Sequence, residues 1–400
     1  MDEAISEFSF RNAMPAQLIE AFRDARNYTL ALFDGFAAAG YDRVEMVPVS
    51  PLLNPPLWEL GHIAWFAEWY VLREAQSSEP GAAKKPSLLT KGDDWFDSNT
   101  VPHKSRWHLG LPSSGAMKTY CHEVLDRLFD KLERISNDDA ALYPYRLVLA
   151  HEYMHQEAFT YTLNTLDLPL PAQLANLGFH PWAQGEISFD GGTFKMGSVR
   201  DQGFVFDNEK WEHTRHVAPF AMDATLVSNA QFMEFIEAGG YQKPQYWSEA
   251  GRTWLLQQDR SAPKGWVRDG DSWSRQRFGQ RVELSRRQPV RHVCLHEVKA
   301  YCAWAKRRLP TEEEWEYAVL SEHPALRWGD LWEWTDSVFL PYAGFEADAY
   351  REYSAPWFST HQVVRGASFA TPEPLRSPKF RNFYMAERRD IFVGFRTCGI

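Results

Sequence analysis

Two histidines four positions apart, His151 and His155 in His151-Glu-Tyr-Met-His-Gln-Glu157, are the residues best placed to do chemistry. In a helix, positions i and i+4 share a face about one turn apart, so both rings reach one ion. Glu157, two positions past His155 and roughly 200° further round, points elsewhere and is not counted as a ligand. Three readings are open for the pair. They are an ordinary pair of hydrogen-bonded helix histidines, the zinc-protease pattern H-E-x-x-H with Glu152 as general base, and a metal centre completed by a third histidine from elsewhere.

The candidate third residue is His62, in Leu60-Gly-His-Ile-Ala-Trp-Phe66. A lone histidine in an apolar helix is ordinarily a satisfied core residue. The matched pair on another helix favours a ligand here. The protease pattern needs a further ligand soon after the second histidine, yet no histidine follows until His180, and no acid between Glu157 and Asp167.

The elements that must carry these residues are helical. Apolar spacing predicts helices over 16–38, 57–74, 115–135 and 141–166, the second starting behind the prolines of Pro48-Val-Ser-Pro-Leu-Leu-Asn-Pro-Pro56. Four helices with a metal between facing members make a familiar bundle. The Pro/Gly/Lys/Asp-rich loop over 76–112 is long enough to be functional. Past Pro171 turn residues become frequent, as in Asp190-Gly-Gly-Thr193. Short strands are expected at Val363-Val-Arg365 and Ile391-Phe-Val393, and helices at 229–238, 296–306 and 311–320. Thr311 and Glu314 read as a capping box. The fold class is therefore α+β: a four-helix bundle over 1–170, a linker over 171–184, and a loop-rich domain over 185–400.

A net charge of −10 argues against nucleic acid, whose phosphates need a basic face. No apolar run reaches membrane-span length, and Met-Asp-Glu-Ala is acidic where a signal peptide is basic, so no membrane partner and a cytoplasmic location are expected. Cys121, Cys294, Cys302 and Cys398 form no C-x-x-C and read as buried free thiols.

Longer phrases carry a resemblance. Gly191-Gly-Thr-Phe-Lys-Met-Gly197, Val227-Ser-Asn-Ala-Gln-Phe232, Arg308-Leu-Pro-Thr-Glu-Glu-Glu-Trp-Glu316, Trp332-Glu-Trp334, Arg365-Gly-Ala-Ser368 and Gly394-Phe-Arg396 resemble the formylglycine-generating-enzyme fold, a C-type-lectin-like domain. The first half resembles the DinB-type bundle. The combination, with H-x₃-H-x-E and an upstream histidine, is similar to the ergothioneine sulfoxide synthases and their relatives, the selenoneine synthases. The resemblance implies an Fe(II) cofactor on His62, His151 and His155, and as substrates hercynine (the trimethylated histidine betaine), O2 and a selenosugar or thiol donor. Formylglycine generation itself is excluded, because Arg365-Gly-Ala-Ser-Phe-Ala-Thr-Pro-Glu-Pro-Leu-Arg376 contains no cysteine.

The donor is read from departures. Arg381-Asn-Phe-Tyr384 has Tyr384 where the branch using γ-glutamylcysteine has an acid, although Arg388 remains. Asp97-Ser-Asn-Thr100 stands where the free-cysteine branch carries a tyrosine pair. Asn54-Pro-Pro-Leu-Trp-Glu-Leu-Gly-His62, Asp97-Ser98 and Arg106-Trp107 resemble the selenoneine branch, whose sugar donor has no ammonium to pair. The expected reaction is C–Se bond formation at C2 of the hercynine imidazole, with C–S bond formation as the alternative. Asn382, Phe383, Trp332 and Trp334 are expected around the quaternary ammonium. Arg106 and Arg388 are expected on the donor, and Tyr384, Tyr342 or Tyr353 as the catalytic tyrosine.

Overall fold

A computed structural model describes residues 9–171, 179–183, 185–200, 203–258, 260–270 and 272–400. Most of the expected linker, 172–178 and 184, lies outside the described residues.

Four long helices dominate the N-terminal half: α1 (Pro15–Ala38), α2 (Pro56–Ala67), α4 (Ser114–Leu132) and α5 (Asp139–Thr165), with a short α3 (Gly92–Phe96) in the intervening loop. Each start has a local cause. Prolines open α1 and α2, where their missing N–H costs nothing. The side chains of Ser113 and Asp138 cap α4 and α5 by accepting from Ala116 N and Ala141 N. α2 is buried on every face and runs on as a π turn, Glu68–Leu72. Glu68 there accepts from Tyr120 Oη (2.5 Å) and Leu88 N (2.6 Å).

α1 packs on α5, and α2 lies against both α4 and α5. The α1–α5 contact buries Arg26, which grips Glu152 through two bonds of 2.9 and 3.0 Å, while Thr29 Oγ1 adds a third at 2.8 Å. Glu152 is thereby turned to α1 and fully committed. It has no access to a water on the histidine face, and the protease role fails on geometry.

The C-terminal half is a set of small sheets. β1 (Glu186–Phe189) pairs with β4 (Phe220–Asp223), and β2 (Gly192–Met196) with β3 (His213–Val217), both antiparallel. The turn between β1 and β2 needs glycine: Gly191 has φ 70°, and a Cβ there would meet the Val217 carbonyl at 2.4 Å. A three-stranded sheet of β5 (Trp266–Asp269), β6 (Ser272–Arg277) and β7 (Gln280–Glu283) follows the helices α6 (Asn229–Glu237) and α7 (Glu249–Gln258). Then come α8 (Leu295–Ala305) and α9 (Glu312–Leu320). The last sheet has the order β10-β9-β8-β11, from β8 (Trp332–Val338), β9 (Gln362–Gly366), β10 (Asn382–Tyr384) and β11 (Val393–Gly394).

Helix α7 and the β5–β7 sheet went unread, since their polar, exposed faces weaken the apolar pattern. Of Ile391-Phe-Val393 only Val393 enters a strand, because a bond from Val393 N to Ile391 O curls the run.

The Thr311/Glu314 capping box forms as expected. Its neighbours explain the motif: Glu312 takes Arg381 at 2.8 and 2.9 Å, and Glu316 takes Arg365 at 2.6 Å and Lys379 at 2.8 Å. These buried, multiply bonded pairs hold α9 to the last sheet. The four cysteines are free and buried. One apolar cluster runs through both halves, from Phe22 and Leu163 to Trp332 and Phe395. Among the described residues no helix is long and apolar enough to cross a membrane.

Candidate active site

His151 and His155 sit one turn apart on α5, and His62 faces them from α2. Each offers a ring nitrogen within 4.8 Å of the other two. The outer nitrogens determine the tautomers. His62 Nδ1 donates to the Phe96 carbonyl at 2.8 Å, because a carbonyl can only accept. His155 Nδ1 lies 2.7 Å from the buried carboxylate of Glu59. Both rings therefore turn an Nε2 lone pair inward.

His151 stacks flat on Phe66 (3.6 Å between centroids, 5°), and its Nε2 is 3.2 Å from that of His155. Its Nδ1 is buried with no partner among the described residues. With its Nδ1 unpartnered, His151 can carry its proton on either nitrogen, so the two Nε2 atoms either share one proton in a hydrogen bond or turn both lone pairs to one cation. The residues thus fit a metal ion held by three neutral imidazoles, with coordination positions left over for reactants.

Burial, and then the neighbouring histidines, push His62 and His151 well below the ordinary imidazole range. The consequence has a definite sign. Below about pH 6.5 the unfolded chain takes up protons on these histidines that the folded chain refuses, so stability rises with pH across this range and is lost on acidification. Urea unfolding of the metal-free protein should give a lower midpoint at pH 5.5 than at pH 7.5. A His62→Ala variant should show a shallower dependence, and an unchanged slope would place the proton uptake elsewhere.

Local sequence makes this geometry. Gly61, beside His62, lets Phe96 lie against α2: a Cβ there would fall 2.3 Å from the Phe96 ring. Gly61→Ala should therefore lower stability by about 1–3 kcal/mol through overpacking, and push the Phe96 carbonyl off His62. A melting temperature equal to wild type would refute that packing. Trp58 stacks on His62 at 5.0 Å and 9°, and the Arg106 guanidinium lies 3.8 Å from the Trp58 ring centroid.

His151 and His155 open onto a cavity of about 210 Å³, and His62 lies behind them, outside its lining. α5 contributes His151, Met154, His155, Glu157, Ala158 and Tyr161; loops supply Tyr350, Tyr353, Leu375 and Phe380; β10 supplies Asn382 and Tyr384. Glu157 indeed points away from the metal position, but it is the knot between the halves. It accepts from Trp332 Nε1 (2.8 Å), Ser368 Oγ (2.5 Å) and Thr371 Oγ1 (2.7 Å), and burial raises its pKa. A larger open groove of about 670 Å³ lies across Thr371, lined by Gln17, Tyr28, Gln156 and Arg376 among others; none of the three histidines reaches it.

The expected site residues divide on this cavity. Asn382, Tyr384 and Tyr353 line it. Phe383 does not: side chains alternate along β10, and Phe383 turns to the other face, stacking on Phe339 at 4.0 Å. Trp332 and Trp334 are fully buried in a strand covered on both faces, Trp332 bonded to Glu157 and Trp334 donating to the Val293 carbonyl at 3.0 Å. Tyr342 is packed under Arg381 at 4.0 Å, away from the cavity. Arg106 serves Trp58 and Asn54 (2.6 Å). Arg388 flanks the wall at Tyr384 (5.4 Å to the ring), but both its bonds, 2.7 and 2.6 Å, go to Asp390.

Three contributors escaped the sequence reading. Glu59 had a signal, three positions before His62 and so on the same helix face. The Phe96 carbonyl had none. Tyr350, whose ring is 6.0 Å from His151 and 4.8 Å from Phe66, lies in an irregular loop. Glu59→Gln, which removes the charge and keeps the shape, should weaken metal binding by about 10–100-fold. Metal titration of the purified variant checks this, and an unchanged affinity would reduce Glu59 to filling space.

Residues 180–322 match the family described as "Sulfatase-modifying factor enzyme 1-like domain". A hercynine oxygenase of Mycolicibacterium thermoresistibile is 31% identical over 437 residues, covering 96% of this chain and 94% of that protein. One of Mycolicibacterium smegmatis is 30% identical over 408 residues, covering 87% and 92%. A formylglycine-generating enzyme of Streptomyces coelicolor is 34% identical over 182 residues, covering 40% of this chain and 57% of that protein.

Proposed function

Because the chain belongs to the hercynine oxygenase family, we propose that it is an iron(II)- and O2-dependent oxidoreductase acting on hercynine, and that it joins selenium from a selenosugar to C2 of the imidazole. The observation that carries this reading is the convergence of His62, His151 and His155, the last two lining an aromatic-walled cavity. In the same reading residues 1–170 are a DinB-like bundle that carries the histidines, and 185–400 cover them.

Iron(II), when bound by these histidines, would supply redox chemistry with dioxygen and open positions for reactants. The rest is the work of the chain. The rings of Tyr161, Tyr350, Tyr353, Phe380 and Tyr384 provide faces for a quaternary ammonium, which has no hydrogen to donate. Asn382 brings an amide that can serve the substrate's carboxylate or ring nitrogen. Burial raises the pKa of Tyr350, Tyr353 and Tyr384, so each phenol stays protonated, a weak acid that gives up its proton only to a strongly basic oxygen formed during reduction of O2. The burial around the histidines keeps bulk water from competing for the open positions.

The donor assignment rests on charge. Glu157 is the acid among the cavity-lining residues, and its oxygens are taken by Trp332, Ser368 and Thr371. An amino-acid donor would bring an ammonium with no free carboxylate to meet it, whereas a sugar brings hydroxyls for Asn382 and the phenols. Arg388 beside Tyr384 favours a thiol donor with a carboxylate, as in an ergothioneine-type sulfoxide synthase, but Asp390 already occupies it.

The deciding experiment is an aerobic assay of the iron-loaded protein with hercynine, offering selenoglucose, cysteine and γ-glutamylcysteine in parallel and reading products by mass. A selenium adduct, with little product from the thiols, is expected. A sulfoxide adduct instead would return the chain to the thiol reading, and no adduct from any donor would refute the proposed reaction.

A further inference from the structure

One stretch reverses the charge of this acidic chain. From Arg275 to Arg291 there are six arginines and one acid, Glu283, in a protein of net charge −10. Arg281, Arg286 and Arg287 are exposed and Arg277 half-buried, as solvated arginines usually are. Arg275, on β6, and Arg291, after β7, are different: they are 3% and 2% exposed.

Neither has an acid to pair with among the described residues. Arg275 Nη2 donates to Gln288 Oε1 at 2.9 Å, but its Nε and Nη1 have no partner among the described residues; nor do Nε and Nη1 of Arg291. The Arg291 guanidinium sits 5.5 and 5.6 Å from the Phe179 and Phe369 rings. Burial, with repulsion from Arg275 and Arg277, holds Arg291 well below the ordinary guanidinium range, and Arg275 is pushed down to about 10. Burial, then Arg291, Lys264 and Arg275, push His292 well below the ordinary imidazole range, so it brings no negative charge to offset them. Asp390, the acid acting on Lys264, is already spent on Arg388.

Buried charges are retained when something pairs them, and buried donors when something accepts from them. Guanidinium N–H groups match oxyanion oxygens, and each arginine has Nε and Nη1 donors left to give. We propose that Arg275 and Arg291 hold a small oxyanion of the phosphate type, beside the C-terminal end of α5. The sheet is fastened there by Gly279 N and Gln276 Nε2 on the Asp167 carboxylate, at 2.8 Å each, and Asn164 approaches His292 at 3.4 Å. Burial limits the ligand to a single ion or one phosphoryl group. Neither arginine lines the cavity of the histidines, so this is a separate site. Its occupant would neutralise the cluster where the β5–β7 sheet meets the helix bearing His151 and His155.

The test is thermal unfolding of wild type, Arg275→Gln and Arg291→Met in rising sodium phosphate, against sodium chloride at matched ionic strength. A ligand that binds the folded state raises the midpoint by mass action. A saturable rise is expected in wild type and in neither variant. In chloride alone Arg291→Met should be at least as stable as wild type, since an unpaired charge is gone. No rise, or an equal rise in all three proteins, overturns the proposal; should Arg291→Met fail to fold, the milder Arg275→Gln decides. A larger shift with glucose 1-phosphate than with phosphate assigns a sugar-borne phosphoryl group, and an equal or smaller one the free ion.

Discussion

His62→Ala should bind iron more than about 100-fold more weakly than wild type and turn over no hercynine, while its far-ultraviolet circular dichroism stays that of a folded protein. Losing an outer partner of a metal ligand typically costs about 10–100-fold, and in the proposed site His62 is itself a ligand. Two histidines would remain, one turn apart on a single helix, with no third ligand grouped with them among the described residues. The fold should survive for a specific reason. The Arg26–Glu152–Thr29 contact that fastens α1 to α5 is untouched. The Phe96 carbonyl loses its donor, a local cost of about 1–3 kcal/mol. The checks are metal analysis of the purified variant and product mass under the same assay. Retained iron with normal turnover would remove His62 from the site.

The same residues show what a sequence discloses and what it withholds. His151 and His155 were legible because a helix converts a spacing of four into a shared face, and His62 because a matched pair elsewhere gave a lone apolar-helix histidine a purpose. The α9 capping box was legible because both of its partners are local. Phe383 was misplaced because strand alternation tells which neighbours share a face, not which face looks into a cavity. Asn382 and Tyr384 share one and Phe383 takes the other. Trp332 and Trp334 looked like pocket residues, yet β8 lies inside its sheet with both faces covered. Arg106 and Arg388 were expected on the donor substrate, but Arg106 bonds Asn54 and lies over Trp58, and Arg388 bonds Asp390. Partners brought together by the fold alone, such as Glu157 with Ser368 and Thr371, leave no local signature.

Tyr384→Asp tests whether the missing acid is what selects the donor. Tyr384 sits on the cavity face of β10 with its hydroxyl 3.3 Å from Asn382 Nδ2, and Arg388 lies 5.4 Å from its ring. An aspartate there would put an uncommitted carboxylate into a cavity where Glu157 is already fully bonded. A donor's ammonium would then find a charged acceptor, an interaction worth about 1.5–3 kcal/mol, or roughly 10–100-fold in kcat/KM ratio. The expected result is a shift of that size toward cysteine or γ-glutamylcysteine relative to selenoglucose. A competing effect acts in the same place: Arg388 could leave Asp390 for the new carboxylate, cancelling its charge. A second variant separates the two. If Tyr384→Asp alone leaves the ratio unchanged, adding Arg388→Met frees the carboxylate, and the thiol preference should then appear. An unchanged donor ratio in both proteins would show that Tyr384 does not face the donor, and would assign selectivity to another wall of the cavity.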